Sequence, residues 1–331
     1  MYVQRVEYYK KLEEKLESNV LVYITSDRRG YETQIASDAI DYFIDHLDQI
    51  GVVKKISLYL YTRGGDTAAA WNIINLLRQF CDELQVIIPH KAHSAGTLIS
   101  IGANSIIMTK QATLGPIDPS INTPLNPSIP VAPPQKTYPV SVEAVKGYLE
   151  FAKEELAIKD DIALSNIMIK LSDMVHPLVL GQVYRSKAQI KMLAEKLLAT
   201  QIKDANKRQQ IISFLCSDSG SHDYTINRRE AKNTLGLNIE KPDDDLYCLI
   251  KKIYDDINSE LQFGAPADLR SMQKHNNGEY NIKRGLIESI NGGSYYFLSQ
   301  GKLSLVTLQN GQQGINDDRQ FEGWKHEGGN T

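Results

Sequence analysis

Over the first 110 residues, short runs of β-forming residues alternate with longer runs that carry apolar side chains at helical spacing. The strand-like runs lie at residues 20–24, 56–61, 84–89 and 105–109, and each is largely apolar, which is typical of the buried strands of a parallel sheet. Helix-like segments lie at residues 33–50 and 67–80, and Asp66 is placed to cap the second. The alternation predicts an α/β fold with a parallel sheet.

Two glycine-marked turns stand at the ends of successive predicted strands. The first has the sequence TRGG at residues 62–65, and the second has the sequence KAHSAG at residues 91–96. In open α/β sheets, ligands bind at the carboxyl ends of the strands. Both turns are therefore expected to face one crevice.

The residues in these turns suit acyl-transfer chemistry. Ser94 lies at a strand-to-helix turn that would expose its hydroxyl, with the Ala95 N–H beside it. Gly64 and Gly65 have no side chains, so their N–H groups can approach a substrate carbonyl closely. Two such donors make an oxyanion hole. Either turn alone would also suit a tight turn or a helix cap, but their occurrence on consecutive βα units favours a functional site.

The same residues carry a family resemblance. The segments TRGGD, PHKAHSAGTLISIGAN and LGPIDPS resemble the serine dehydrogenase proteinase family, distant relatives of the Clp protease proteolytic subunit and of signal peptide peptidase A. The resemblance extends over residues 23–237 and is most specific across residues 58–120. It implies a Clp/crotonase-type spiral of ββα units with extra helices, and a serine peptidase in which Ser94 is the nucleophile and the glycine pair forms the oxyanion loop. We expect this peptidase to be soluble, because no stretch approaches the length of a membrane span.

The resemblance also implies a catalytic triad in the order Ser, Asp, His. His222 matches the position of the third member, and Asp118 would orient it so that one ring nitrogen accepts the Ser94 proton. His93 is a poor candidate for the base, because neighbouring side chains diverge at such a turn.

A lysine is the alternative base. Enzymes of the signal peptide peptidase A type use a Ser–Lys dyad with the lysine some fifty residues after the serine. Lys146 follows Ser94 by 52 residues (146 − 94) on a predicted helix. Such a lysine needs a pKa lowered by burial, and we favour His222 because its ordinary pKa is closer to working pH.

The chain changes character after the predicted site. Eight of its 12 prolines lie between Pro116 and Pro139, and this proline-rich loop, residues 116–139, cannot be an internal helix or a central strand. The helices expected after residue 141 carry apolar residues on more than one face, which indicates a homo-oligomer. We expect residues 1–262 to form one peptidase domain and residues 263–331 to form a small C-terminal β appendage, with a flexible tail from about Asn316.

Two further expectations concern the first helices. Residues 1–18 suit an amphipathic helix with Val3, Val6, Tyr9 and Leu12 on its inner side. His46 stands among charged neighbours and is expected at the surface.

Composition excludes several classes of function. A net charge of −3 does not favour binding to nucleic acid. Cys81, Cys216 and Cys248 are too widely spaced for a zinc pattern, and their odd number makes no disulfide framework, so we expect reduced thiols and a cytoplasmic location. No apolar run is long enough for a membrane span. No metal, cofactor or nucleotide-binding motif is expected, so any unfolding ATPase would be a separate chain.

The predicted function is hydrolysis of a peptide or protein substrate by a serine endopeptidase. One alternative is a crotonase-like acyl-coenzyme-A enzyme, which would use the same two N–H donors without needing Ser94. The other is a catalytically inactive oligomeric scaffold of the same fold.

Overall fold

The computed structural model describes residues 1–117, 120–121, 123–129, 136–137, 140–218, 221, 223–307 and 311–327. The helices, in chain order, are α1 (Tyr2–Leu16), α2 (Ile40–Ile50), α3 (Thr67–Phe80), α4 (Ala95–Ile101), α5 (Val142–Glu150), α6 (Asp161–Met174), α7 (Pro177–Leu198), α8 (Ala205–Ser213), α9 (Arg228–Asn233), α10 (Asp244–Leu261) and α11 (Leu269–Lys274). The strands are β1 (Asn19–Thr25), β2 (Val53–Tyr61), β3 (Cys81–Ile88), β4 (Lys91–Ala92), β5 (Ser105–Met108), β6 (Thr113–Leu114), β7 (Ser120–Ile121), β8 (Ser128–Ile129), β9 (Lys136–Thr137), β10 (Val140–Ser141), β11 (Ile226–Asn227), β12 (Ile239–Glu240), β13 (Glu279–Ser289), β14 (Gly293–Thr307) and β15 (Gln313–His326).

The main sheet confirms the predicted parallel arrangement. Its strand order among the described residues is β12-β5-β3-β2-β1-β13-β14-β15. The pairs from β12 to β1 are parallel, and β13, β14 and β15 continue the sheet in antiparallel fashion. The first four predicted strands all form, each within three residues of its expected ends. Every residue of β1 after Asn19 is buried, because helices cover both faces of a parallel sheet.

Helices α1 and α10 pack on one face of this sheet. Tyr9 and Leu12 of α1 lie in one buried cluster with Ile250, Ile253 and Ile257 of α10. The N-terminal helix therefore forms as predicted, but Val3 is 79% exposed. The inner side of α1 is instead completed by a buried arginine, Arg5, which a pattern of apolar spacing cannot reveal.

The chain divides into two compact units at positions other than the expected boundary near residue 262. The first unit comprises residues 1–114 and 226–331, and the second comprises residues 115–225. The C-terminal strands are not a separate appendage, because β13 pairs directly with β1 through registers such as Tyr23 with Ile287. The tail expected from Asn316 is also wrong as far as residue 326, since that segment lies in β15.

The second unit contains α5 to α8. Val140, Val142, Val179 and Val183 form its small apolar cluster. Where residues 116–139 are described, they form two-residue strands that pair outside the main sheet, β7 with β10 and β8 with β9, as the density of proline predicts.

No single helix in the described part of the chain is long and apolar enough to cross a membrane. Helices α6 and α7, which meet at an angle of 104°, satisfy the length and composition criteria only as a pair.

The expectation that His46 lies at the surface is wrong. Its side chain is fully buried, with Nδ1 2.7 Å from Ser289 Oγ and Nε2 3.2 Å from the Ile287 carbonyl oxygen. Burial lowers the pKa of His46 to about 4, so the imidazole is neutral near pH 7. Its partners lie more than 240 residues away along the chain, where no local pattern can reveal them.

A buried charge network joins the N-terminal helix to β13 and α10. The Arg5 guanidinium donates to both carboxylate oxygens of Glu288, at 3.0 Å from Nε and 2.5 Å from Nη2. It also pairs with Asp256 and with Glu260, the latter at 2.6 Å. Tyr9 donates to Glu288 as well. Arg5 and Glu288 are both fully buried, so each charge depends on the other for compensation.

We expect Arg5→Ala to lower the free energy of unfolding by about 3–5 kcal/mol, since it leaves the Glu288 carboxylate buried without its cation. Urea denaturation followed by tryptophan fluorescence measures this change. The signal reports unfolding of the first unit, which contains Arg5, because Trp71 and Trp324 are the only tryptophans and both lie in that unit. Lys10→Ala removes only an exposed ion pair with Glu7 and is the matched control. An equal effect of the two variants would contradict the assignment.

Candidate active site

Two backbone hydrogen bonds attach the glycine loop (residues 62–65) to the turn that carries Ser94. The Thr62 N–H donates to the Lys91 carbonyl at 3.1 Å, and the His93 N–H donates to the Thr62 carbonyl at 3.1 Å. Thr62 and Ala92 thus form a parallel bridge beyond the end of β2. The two predicted turns therefore lie side by side, as the crevice argument requires.

On its other side, the glycine loop is held by Ile35. The Ile35 N–H donates to the Gly64 carbonyl, and the Asp66 N–H donates to the Ile35 carbonyl, both at 2.8 Å. A Cβ atom at Gly65 would lie 2.2 Å from the Ile35 carbonyl oxygen, and the residue has φ of +145°. No other amino acid fits this position. Asp66 then caps α3 as predicted, accepting from the N–H groups of Ala68 and Ala69.

Gly64 brings the loop into direct contact with Ser94. Its φ is +115°, and a Cβ atom at this residue would lie 2.7 Å from Ser94 Cβ and 2.9 Å from the His93 carbonyl oxygen. The absence of a side chain at residue 64 is what allows the two turns to touch.

Ser94 has an unusual backbone conformation. Its φ and ψ are 51° and −115°, outside the regions that non-glycine residues ordinarily occupy. Its side chain makes no capping hydrogen bond to α4, so the role of helix cap does not account for the residue. Strain of this kind is typical of active-site residues. Ser94 is half-buried at the start of a helix whose residues are otherwise fully enclosed.

Two N–H groups next to Ser94 have no acceptor within the part of the chain that the structure describes: those of Gly65 and Ala95. The Gly64 N–H differs, because it donates to Thr62 Oγ1 at 3.0 Å. Gly64 therefore provides the close approach, while Gly65 and Ala95 provide the donors that an oxyanion hole needs.

His93, the residue before Ser94, has its ring against β6. Its Nε2 lies 2.8 Å from Thr113 Oγ1. This placement agrees with the expectation that neighbouring side chains diverge at the turn and that His93 packs beside the site.

The candidate bases are placed as follows. Asp118 and His222 lie outside the described residues. Lys146 lies in the second unit, on α5, whereas Ser94 lies in the first. The Lys146 Nζ is 3.2 Å from Glu150 Oε1 and 3.9 Å from Glu143 Oε2, and its side chain is 35% exposed. The dyad hypothesis requires a buried lysine, and within this chain Lys146 is instead partly exposed and paired with acids.

One group of site residues was not predicted from the sequence. Asp27, in the loop after β1, accepts from the Tyr61 hydroxyl at 2.7 Å and forms an ion pair with Lys91. Arg63 Nε lies 3.7 Å from the other Asp27 oxygen, Oδ1. Burial and the Asp27 carboxylate raise the pKa of the Tyr61 hydroxyl well above its ordinary value. The sequence did contain one indication of this group: each residue lies at or just past the end of a strand, where ligand-binding side chains are commonly found in α/β sheets.

Aromatic rings pack against this polar group. Tyr61 stacks on Phe263 with ring centroids 4.8 Å apart, and His90 stacks on Tyr254 at 5.8 Å. Burial among these rings lowers the pKa of His90 below its ordinary value. His90 is therefore a packing residue. Within the described ranges, no group of three or more His, Cys, Asp or Glu side chains could hold a metal ion.

These features define a class of protein: an α/β fold with a half-buried serine on a strained strand-to-helix turn beside a glycine loop. Residues 2–145 match the family model of ClpP-like SDH-type serine proteinases. The match covers the glycine loop, the Ser94 turn and the strands that carry them. It confirms the resemblance seen in the sequence, and together with the parallel sheet it confirms a Clp-type fold.

Individual proteins also resemble the chain. An uncharacterised protein of Methanocaldococcus jannaschii is 31% identical over 187 residues, which is 56% of this chain and 54% of that protein. The chain thus spans about half the length of this relative. A solved mutant of the 1510-N membrane-bound stomatin-specific protease aligns with 17% identity, a TM-score of 0.38, and coverage of 69% of this chain and 82% of that one. A ClpP1 mutant from Listeria monocytogenes aligns with 14% identity, a TM-score of 0.37, and coverage of 71% and 99%.

We expect Gly64→Ala to slow the reaction of Ser94 with a fluorophosphonate probe by about 10²- to 10³-fold, the usual cost of a lost oxyanion donor, because the new methyl group would collide with Ser94 and displace the Gly65 N–H. Gly51→Ala is the matched control: residue 51 also has positive φ, +75°, but no atom lies within 4 Å of the position that its Cβ would take. The measurement is the rate of fluorophosphonate labelling of each variant relative to the wild type. Equal slowing would indicate a general effect of backbone strain.

Proposed function

We propose that the protein is a serine peptidase that hydrolyses peptide or protein substrates, without metal or cofactor, through Ser94. The observation that carries the proposal is the strained, uncapped Ser94 beside two N–H groups that lack acceptors among the described residues. The match of residues 2–145 to a family of serine proteinases supports the same activity.

The proposed reaction has two stages. Ser94 Oγ attacks the scissile carbonyl carbon while its proton passes to a base, and the N–H groups of Gly65 and Ala95 bind the oxygen on which negative charge develops. The base then protonates the leaving amine as the C–N bond breaks, which leaves an acyl group on Ser94. A water molecule, deprotonated by the same base, then attacks the acyl carbon. The bond between that carbon and Ser94 Oγ breaks, the base returns the proton to Oγ, and the carboxylate product leaves.

For the base we favour His222, oriented by Asp118. Its support is the resemblance and the match between the ordinary histidine pKa and working pH. Lys146 is the alternative, and its ion pairs with Glu150 and Glu143 and its 35% exposed side chain weigh against it, because a lysine base needs a buried site.

We expect wild-type protein to react with a fluorophosphonate and to cleave peptides from a proteome-derived library, and Ser94→Ala to abolish both. Mass spectrometry of the labelled protein locates the modified residue. Labelling that survives the substitution would remove Ser94 as the nucleophile. Retention of coenzyme A by the purified protein, with no peptide cleavage, would favour the acyl-coenzyme-A alternative.

Three further variants in the same assay identify the base: His222→Ala, Lys146→Ala and Lys136→Ala. Lys136 is included because it and Lys146 are the only lysines in residues 115–150, the segment where a Ser–Lys dyad would draw its base. We expect His222→Ala to lower kcat by several orders of magnitude and the lysine variants to retain most activity. Loss of activity in a lysine variant alone would establish the dyad.

The protein is also proposed to act as a homo-oligomer. Helix α6 supports this, because none of its 14 residues is buried within the described chain. Ile162, Ile169 and Met174 are 73%, 59% and 75% exposed. Apolar side chains gathered on one short helix are typical of an interaction surface, and a second copy is the favoured occupant because ClpP-like proteases are commonly oligomeric.

Light scattering at micromolar protein tests the assembly. We expect a mass of at least two chains for the wild type and a shift towards 37.2 kDa for the double variant Ile162→Ser, Ile169→Ser, which removes apolar area without touching a buried core. Lys170→Ser, on the same helix with an 80% exposed side chain, is the control. A wild-type protein of monomeric mass would refute the proposal.

A cytoplasmic location stays a prediction. It rests on Cys81, Cys216 and Cys248, none of which forms a disulfide in the described part of the chain, as is usual for proteins of reducing compartments.

A further inference from the structure

Asp27 lies beneath the edge of the candidate active site and contacts both segments that build it. It pairs with Lys91, three residues before Ser94, and it lies 3.7 Å from Arg63 in the glycine loop. Its side chain is only 13% exposed. Oδ2 has two partners, Tyr61 and Lys91, but Oδ1 is a buried oxygen without a hydrogen bond among the described atoms. Arg63 Nε is the group that faces it.

The Arg63 side chain faces Asp27 on one side and solvent on the other. Its side chain is 56% exposed, and the ion pair with Asp27 involves Nε only. The two terminal nitrogens, Nη1 and Nη2, have no acceptor in the part of the chain that the structure describes. A guanidinium whose Nε faces a carboxylate at ion-pair distance can present its remaining N–H groups as a fork, which matches the two oxygens of a second carboxylate.

The backbone of Arg63 lies close to Ser94. Gly64, the next residue, is close enough that its missing Cβ would lie 2.7 Å from Ser94 Cβ. Consecutive Cα atoms are about 3.8 Å apart, so the Arg63 backbone lies within about 8 Å of Ser94. That distance corresponds to about two residues of an extended peptide.

The local charges leave the fork available. Asp27 carries one negative charge and is paired with two cations, Lys91 and Arg63. The nearest carboxylate along the loop, Asp66, is engaged in capping α3. The rim of the site therefore carries a net positive charge at residue 63.

We propose that Arg63 is a specificity-determining residue that binds a carboxylate of the substrate, an Asp or Glu side chain within about two residues of the scissile bond, and that Asp27 is the positioning residue that orients it. This inference rests on the proposed peptidase function. It predicts a preference for acidic peptides that Ser94 and the oxyanion donors alone do not explain.

The test digests a proteome-derived peptide library with wild-type protein and with Arg63→Gln, and maps the cleavage sites by mass spectrometry. A pair of synthetic peptides, built on one cleaved sequence with Glu or Gln at the preferred position, then gives kcat/KM values. We expect the wild type to favour Glu by about fivefold to tenfold, since a charge-assisted hydrogen bond on a half-exposed side chain is partly screened by water, and Arg63→Gln to lose that preference.

Two further variants separate this role from a structural one. Asp27→Asn should reduce the Glu preference, measured as the ratio of kcat/KM for the Glu and Gln peptides, because a general loss of activity would lower both values and leave that ratio unchanged. Arg29→Gln removes an exposed arginine from the same loop as Asp27 and should keep the preference. The wild-type preference should also weaken in 1 M salt, where charges are screened over about 3 Å.

The outcomes are distinct for the two proposals. Equal cleavage of the Glu and Gln peptides by the wild type, or a Glu preference that persists in Arg63→Gln, would overturn the role of Arg63 while leaving the peptidase intact. A wild-type protein whose Ser94 is not labelled and that cleaves no peptide would overturn the proposed function, and the role of Arg63 with it.

Discussion

The candidate active site depends on one contact between two turns: the backbone bridge of Thr62 with Ala92, closed by the approach of Gly64 to Ser94. Two hydrogen bonds of 3.1 Å fix the register of this bridge. Small residues permit it from both sides, because a Cβ atom at Gly96 would lie 2.5 Å from Thr62 Cγ2. The glycine loop and the Ser94 turn can therefore form one surface only while glycine occupies residues 64 and 96.

Polar groups around this contact are arranged to keep it rigid. Thr62 Oγ1 accepts from Thr25 Oγ1 at 2.9 Å and from the Gly64 N–H at 3.0 Å, so it joins the ends of β1 and β2 to the loop. Asp27 connects the same region to β4 through Lys91. Because buried polar groups are costly unless they are paired, these bonds favour a single arrangement of the site. Preorganisation of this kind is what electrostatic catalysis requires.

The elements that carried strong local signals were predicted well. Asp66 precedes a helical run and caps α3, and the apolar runs at residues 20–24, 56–61 and 84–89 all lie in strands. The glycine loop and the Ser94 turn were located because short motifs at strand ends are visible without knowledge of the fold. Arg5 and His46 were not, because a buried charged or titratable side chain is recognisable only by its partners, and Glu288, Ile287 and Ser289 lie at the opposite end of the chain.

The sequence by itself determined the class of fold and the two turns that form the candidate site, because periodicity, glycine and helix capping act over a few neighbouring residues. Only the tertiary structure decided that β13 joins the main sheet next to β1, that Gly64 touches Ser94 rather than merely ending a strand, and that Asp27 gathers Tyr61, Lys91 and Arg63 beneath the site. Each of these is a contact between segments tens to hundreds of residues apart. Such contacts depend on the order of the strands in the sheet, and a local sequence pattern does not specify that order.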